Sequence, residues 1–234
     1  RNIGRVDVLD WGADHFWGWG NIDYYYLTGD LDALEAANDL AEVSQRILGW
    51  RQPGSYLVGN FGFRQEARHL LLLTRLYEAT QDPKWKILMD TIAQLFLQSP
   101  DWDSRGFYPT SVSGTTKTLS TLHLGFLDHA IERYYQITGD PEVRDRLIKI
   151  AYFVKTYGLP LAPEPEYTGN IVFDDPNLGD WYHVPRNDPA YTITLIDALV
   201  RGYRLTDDSS LLDRAKYYWH RGSKAVIGTP PLRP

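Results

Sequence analysis

The chain has 234 residues, 43% of them apolar, and a formal net charge of −6. That length supports one large core, the apolar share excludes a disordered chain, and the acidic balance argues against a nucleic-acid partner, which needs a basic face. Cysteine is absent, which removes disulfides, thiolate metal sites and cysteine nucleophiles together, and no apolar run reaches the roughly 18 residues that a membrane-spanning helix requires.

Residues 1–10 read as a linker or the end of a preceding segment. The first residue is Arg1, so the chain is read as either a processed form or part of a longer polypeptide. Residues 11–228 read as one helical-hairpin repeat domain, and 229–234 as a tail. The repeat shows first in DYYYLTGD, which ends on Thr28-Gly29-Asp30. It returns as TRLYEATQD on Thr80-Gln81-Asp82, as ERYYQITGD on Thr138-Gly139-Asp140 and as VRGYRLTDD on Thr206-Asp207-Asp208. Each Thr is preceded at the same offset by a tyrosine: Tyr25, Tyr77, Tyr135 and Tyr203. At one fixed distance past the Asp stand Ala41, Ala93 and Ala151, with Trp219 in the fourth unit.

Each unit predicts a helix, a tight turn and a second helix. Leu124, Leu127, Ile131 and Tyr135 recur at helical spacing before the turn. The turn Asp suits an N-cap, Pro83 and Pro141 suit the first helical position, and Gly29 and Gly139 suit a left-handed C-terminal cap. The fold class is therefore all-α, with four αα-hairpins stacked as a toroid or an open arc. The first helix of each pair is expected inside and the second outside. Long loops at 50–60, 99–118 and 158–188 fall at the end away from the turns, where binding surfaces are usually built.

The units YYYLTGD, YEATQDPKW and YYQITGDPEV, each running into an amphipathic helix, resemble the (α/α) toroid enzymes of the six-hairpin glycosidase-like group. HFWGWGNIDYYYLTGDLDALEAANDLAE is similar in particular to helical domains of rhamnogalacturonan-lyase-like proteins. The resemblance spans roughly residues 11–220. It implies a carbohydrate-active module, working on an extracellular or periplasmic polysaccharide by β-elimination or hydrolysis. It does not choose the chemistry, because fold does not imply reaction. Four hairpins stand where that group has six. This predicts either further segments of a parent chain or a homo-oligomer that covers the apolar flanks. The high aromatic share of 14% fits sugar stacking as well as a helical core.

The residues with suitable chemistry lie at the loop end. Asp14, His15, Trp17 and Trp19 open the first inner helix, where Asp14 also suits a cap and the tryptophans suit a core. Arg64, Glu66, Arg68 and His69 open the second, and RQEAR reads as a solvated or ion-paired face as readily as a catalytic one. Thr121, His123 and Asp128 open the third, after a loop holding Trp102, Arg105, Tyr108 and Lys117. The fourth follows DDPNLGDWYHVPRND, with Trp181, Tyr182, His183 and Arg186.

His15, Glu66 and His123 fall at one level counted from their threonines. With His183 they form the expected catalytic set. Trp17, Trp19, Arg64, Trp102, Tyr108, Lys117, Trp181, Tyr182 and Arg186 form the expected sugar-contacting set. No obvious carboxylate pair of the glycosidase kind stands out, which tilts the chemistry towards elimination, where a base and a cation suffice. No cofactor or metal is assigned. DDPNLGD is oxygen-rich enough for Ca²⁺ but lacks EF-hand spacing. Asp23, Arg75, Arg133 and Arg201, all at one offset before the threonines, read as ion pairs between hairpins or as caps of carbonyls near helix C-termini. A polysaccharide or oligosaccharide is the expected partner, with no membrane or nucleic acid. The competing reading is a non-catalytic helical-repeat module that binds carbohydrate or serves assembly.

Overall fold

The structure is a computed structural model that describes residues 18–50, 64–99, 102, 121–160, 171–173 and 190–227. In chain order they form α1 (Trp19–Thr28), α2 (Leu31–Trp50), α3 (Arg64–Thr80), α4 (Pro83–Leu97), α5 (Thr121–Thr138) and α6 (Pro141–Tyr157). There follow the short strands β1 (Gly158–Pro160) and β2 (Ile171–Phe173), then α7 (Ala190–Thr206) and α8 (Ser209–Ile227). The fold class is all-α, built from αα-hairpins. The chain divides into two compact units. One comprises Arg1–Ser99 with Ala130–Gly139, the other Pro100–His129 with Asp140–Pro234, so the division runs through α5.

The four turns follow one local rule. Each threonine hydroxyl donates to the carbonyl four residues back: Thr28 to Tyr24 (2.7 Å), Thr80 to Leu76 (2.7 Å), Thr138 to Tyr134 (2.9 Å) and Thr206 to Gly202 (2.8 Å). The same hydroxyl accepts from the N–H of the turn aspartate at Asp30, Asp82 and Asp208. That aspartate's carboxylate then accepts from an N–H of the next helix: Asp32, Lys84, Glu142 and Ser210 in turn. The donors and acceptors that a helix end leaves open are thus matched within a few residues. The central residue is left-handed in every turn, with φ of 73° at Gly29 and 66° at Gly139, but also 55° at Gln81 and 58° at Asp207. Gln81 offsets the strain of its conformation by donating from Nε2 to the carbonyls of Tyr77 and Glu78.

In the first unit, α1 pairs with α2 and α3 with α4, and both α1 and α2 rest on α3. The start of α1 approaches so closely that a Cβ on Gly18 would stand 3.0 Å from both Leu40 and Leu72. Trp85 is wholly buried and donates its indole N–H to Asn38 (3.2 Å). In the second unit, α6 packs on α7 and α7 on α8. There Gly202 lies against Ala151, and a Cβ on the glycine would meet the alanine Cβ at 2.3 Å. Gly202 is therefore small because α6 and α7 touch backbone to side chain.

The repeated alanine is a buried position. Ala41, Ala93 and Ala151 are all buried, while Trp219 in the equivalent place is 57% exposed. The sequence reading placed no strand in the loop after α6. A two-stranded antiparallel ribbon stands there, pairing Gly158 with Phe173, Leu159 with Val172 and Pro160 with Ile171. It is tied down by α8: Arg214 donates to the Gly158 carbonyl (2.8 Å) and the Tyr218 hydroxyl donates to it as well.

The residues predicted to pair between hairpins do so. Arg75 meets Asp23 and Arg133 meets Glu78 in the first unit, and Arg201 meets Asp128 in the second. Each arginine reaches from one first-of-pair helix to the previous one. Among the described residues no helix is long and apolar enough to cross a membrane.

Candidate functional site

The start of α3 is the best-defined place where chemistry could occur. Glu66, Arg68 and His69 are 2%, 4% and 2% exposed. Glu66 and Arg68 of RQEAR are thus not on a solvated face, which leaves the ion-paired reading. The residues that follow, Leu70 to Leu73, are buried too. Glu66 stands fourteen positions before the turn threonine Thr80, roughly 21 Å along the axis at 1.5 Å per residue. It belongs to the end of the helix away from the turns.

Two stripes run along α3. Glu66 and His69 are three apart and share a face, which continues through Leu70 and Leu73 to Tyr77. Arg68 is turned roughly 200° from Glu66 and shares its stripe with Arg75. A carboxylate beside an imidazole can orient it and set its tautomer, the arrangement that makes histidine a useful base. A buried guanidinium offers a fixed positive charge with a planar set of donors. Burying three ionisable groups in one turn costs free energy that apolar residues would not. Such clusters are therefore concentrated where a protein does chemistry.

Down the arginine stripe the electrostatics become structural. Burial holds the Arg75 guanidinium below its ordinary pKa, and the nearby Arg133 charge adds to this, while Glu78 opposes it. Arg75 also lies 5.9 Å from the Tyr26 ring. Burial, with Glu78 nearby, raises the Tyr26 phenol. In the second unit the charged pair of Asp128 and Arg201 is enclosed, with side-chain exposures of 1% and 11%.

Of the expected site residues, Glu66 is in the buried cluster, and Arg64 and His123 lie in the first turns of α3 and α5. Trp19 is half-buried at the start of α1, next to the close approach at Gly18. Trp102 is half-buried in the second unit, with the Arg146 guanidinium 4.8 Å from its ring centroid. His15, Trp17, Tyr108, Lys117, Trp181, Tyr182, His183 and Arg186 lie outside the described residues, as does DDPNLGD.

Arg68 and His69 were quoted with the second inner helix but not placed in the expected set. The signal that could have promoted them is the run LLLL directly after His69. A helix turn followed by four leucines has no wet side, so its polar residues must be enclosed. Asp128 was quoted without its partner, because Arg201 is distant in sequence. Among the described residues no group of three or more His, Cys, Asp or Glu could hold a metal ion.

No protein-family model and no curated protein matches the sequence. Among solved structures the chain is similar to cellobiose 2-epimerase from Bacillus thermoamylovorans B4167, with a TM-score of 0.63 and 15% identity over 87% of this chain. The match covers 57% of the epimerase, so the chain spans little more than half of that protein's length. At this identity the likeness concerns the fold alone, an arrangement of α-helices packed as αα-hairpins.

Proposed function

We propose that the chain is a carbohydrate-active α/α module that acts on a sugar at the start of α3, by β-elimination in preference to glycoside hydrolysis. The observation that carries this reading is the burial of Glu66, Arg68 and His69 within one turn, where packing alone would favour apolar side chains.

Elimination from a uronic acid needs a base for the proton beside the carboxylate. It also needs a cation to stabilise the charge that develops on that carboxylate. His69 is assigned the base, on the face of α3 that it shares with Glu66. Arg68, about 100° round the helix from His69, is assigned the carboxylate. As the C–H bond breaks, a C=C bond forms and the glycosidic oxygen leaves with the electron pair of its bond. Hydrolysis needs two carboxylates across the bond, and residues 64–70 hold one, which is why elimination is preferred. The resemblance of HFWGWGNIDYYYLTGDLDALEAANDLAE to rhamnogalacturonan-lyase-like domains points the same way. A second reading follows from the epimerase likeness, because inversion at carbon 2 of a sugar also begins with removal of a carbon-bound proton by a base.

The test is incubation with pectic and other uronic-acid polysaccharides and with cellobiose. Three products are followed: unsaturated ends by ultraviolet absorbance, new reducing ends, and inverted sugar by nuclear magnetic resonance. We expect unsaturated product from a uronic-acid polymer, reduced about a hundredfold or more in His69→Ala. Reducing ends without absorbance would favour hydrolysis, and inverted cellobiose the second reading. Saturable sugar binding with none of the three products would overturn the enzyme and leave a binding module.

A further inference from the structure

Inside each unit, successive hairpins meet in one register. The middle of a second-of-pair helix presses on the turn region of the hairpin that follows. In the second unit Ala151 lies against Gly202, the Tyr152 hydroxyl donates to Asp208 (2.8 Å), and Arg144 donates to the Leu205 carbonyl (2.6 Å). In the first unit the Tyr134 hydroxyl donates to Asp90 (3.0 Å), Trp85 donates to Asn38 (3.2 Å), and Lys84 stands 3.9 Å from Glu42.

Among the described residues, the first and last hairpins carry the same register on faces that stay exposed. Tyr24 holds the place of Leu76, Tyr134 and Gly202, which are buried, yet it is 52% exposed. Leu27 holds the place of Ala79, Ile137 and Leu205, which are half-buried, yet it is 85% exposed. On α8, Trp219 holds the place of the buried Ala41, Ala93 and Ala151, and Lys216 and His220 beside it are exposed. The first hairpin shows exposed Asp30 and Asp32. α8 shows exposed Lys216 and His220, with the exposed Asp213 3.4 Å from Lys216. In the internal joints the residue equivalent to His220 is Glu42, Gln94 or Tyr152; Gln94 accepts from Gln98, and the other two make contacts across the joint. These meet Lys84 and Asp208, the equivalents of Asp32 and Asp30.

We propose that a second copy of this chain docks here head to tail, with α8 of one copy seated on the α1–α2 turn of the other. The joint extends the internal register: Trp219 meets Tyr24 and Leu27, and His220 meets Asp30 and Asp32. Two aromatic side chains replace the Ala–Gly contact, so this joint is wider than the internal ones and relies on offset or edge-to-face ring packing. The contact is heterologous: each copy offers two different faces, so assembly runs to a closed ring or a longer chain.

Sedimentation velocity of the wild-type chain over a range of concentrations tests this. We expect reversible self-association that added salt weakens, because exposed opposite charges take part. Leu27→Asp and Trp219→Ser should each weaken association at least tenfold while leaving the circular-dichroism melt unchanged, since both residues are exposed. Mixing the two variants should restore a one-joint dimer, because the first keeps a sound α8 and the second a sound α1–α2 turn. A wild-type chain that stays monomeric at every concentration would overturn the proposal. A mixture that fails to associate would overturn it in favour of a symmetric contact. Tighter association of Trp219→Ala would overturn it by showing that the indole blocks the face.

Discussion

At its C-terminal end α3 finishes on Thr80, Gln81 and Asp82, where each donor and acceptor finds a partner within four residues. At its N-terminal end Glu66, Arg68 and His69 are enclosed. The first end is polar, solvated and solved locally, so it serves folding at little cost. The second holds charges that local structure does not require, and their burial costs stability. The contrast separates architecture from chemistry along one helix, and it warns against judging function by appearance. The aromatic run Tyr24, Tyr25 and Tyr26 looks more like a catalytic site than RQEARH does, yet it forms the end of α1 that leads into the first turn.

Substitutions can break this contrast or sharpen it. The largest effect is expected at the enclosed end. Glu66→Met and His69→Leu should each lower turnover about a hundredfold or more while keeping the wild-type helix content by circular dichroism. A large loss of stability with unchanged turnover would make this end architecture too. Asp128→Ala strands Arg201 in an enclosed position and should cost about 3–5 kcal/mol by denaturant titration. A cost near zero would show that the pair is solvated.

Gly202→Ala forces a methyl against Ala151 and should cost about 1–3 kcal/mol in the same titration, with the loss reduced when Ala151→Gly is added. At the capped end, Asp82→Ala removes one N-cap bond and should cost about 1 kcal/mol without touching turnover.

The smallest effect is expected from Asp208. Hydrogen bonds from Ser210, then from Tyr152, hold its carboxyl at about 2 against an ordinary 3.8. A carboxylate with a lowered folded-state pKa stabilises the fold fully above the ordinary value and loses that contribution as pH falls towards 2. Asp208→Asn should therefore lower the melting temperature slightly at neutral pH and flatten its decline between about pH 4 and pH 2. An identical acid limb in both proteins would show that the aspartate is not held this way.

The four joints were legible because a turn is a local object. Thr, a left-handed residue and a capping Asp lie within three positions, and their bonds span no more than four. Even there, Gln81 and Asp207 adopt the left-handed conformation without being glycine. The ion pairs of Asp23, Arg75 and Arg133 were foreseen as a class because they share one offset. Their partners were not, since Arg133 chooses Glu78 and Arg201 chooses Asp128. The candidate site was legible in composition and illegible in burial. RQEARH has the same letters as many wet helix faces, and only packing against other elements encloses Glu66, Arg68 and His69.

By itself, then, the amino-acid sequence determined the helices, their ends and the count of hairpins, because capping and periodicity act over a few residues. Tertiary structure alone decided which polar groups are buried, which alanine must be small because a helix crosses it, and that Trp219 stands open where its three equivalents are covered. Those outcomes depend on residues dozens of positions away, brought together only when the helices pack.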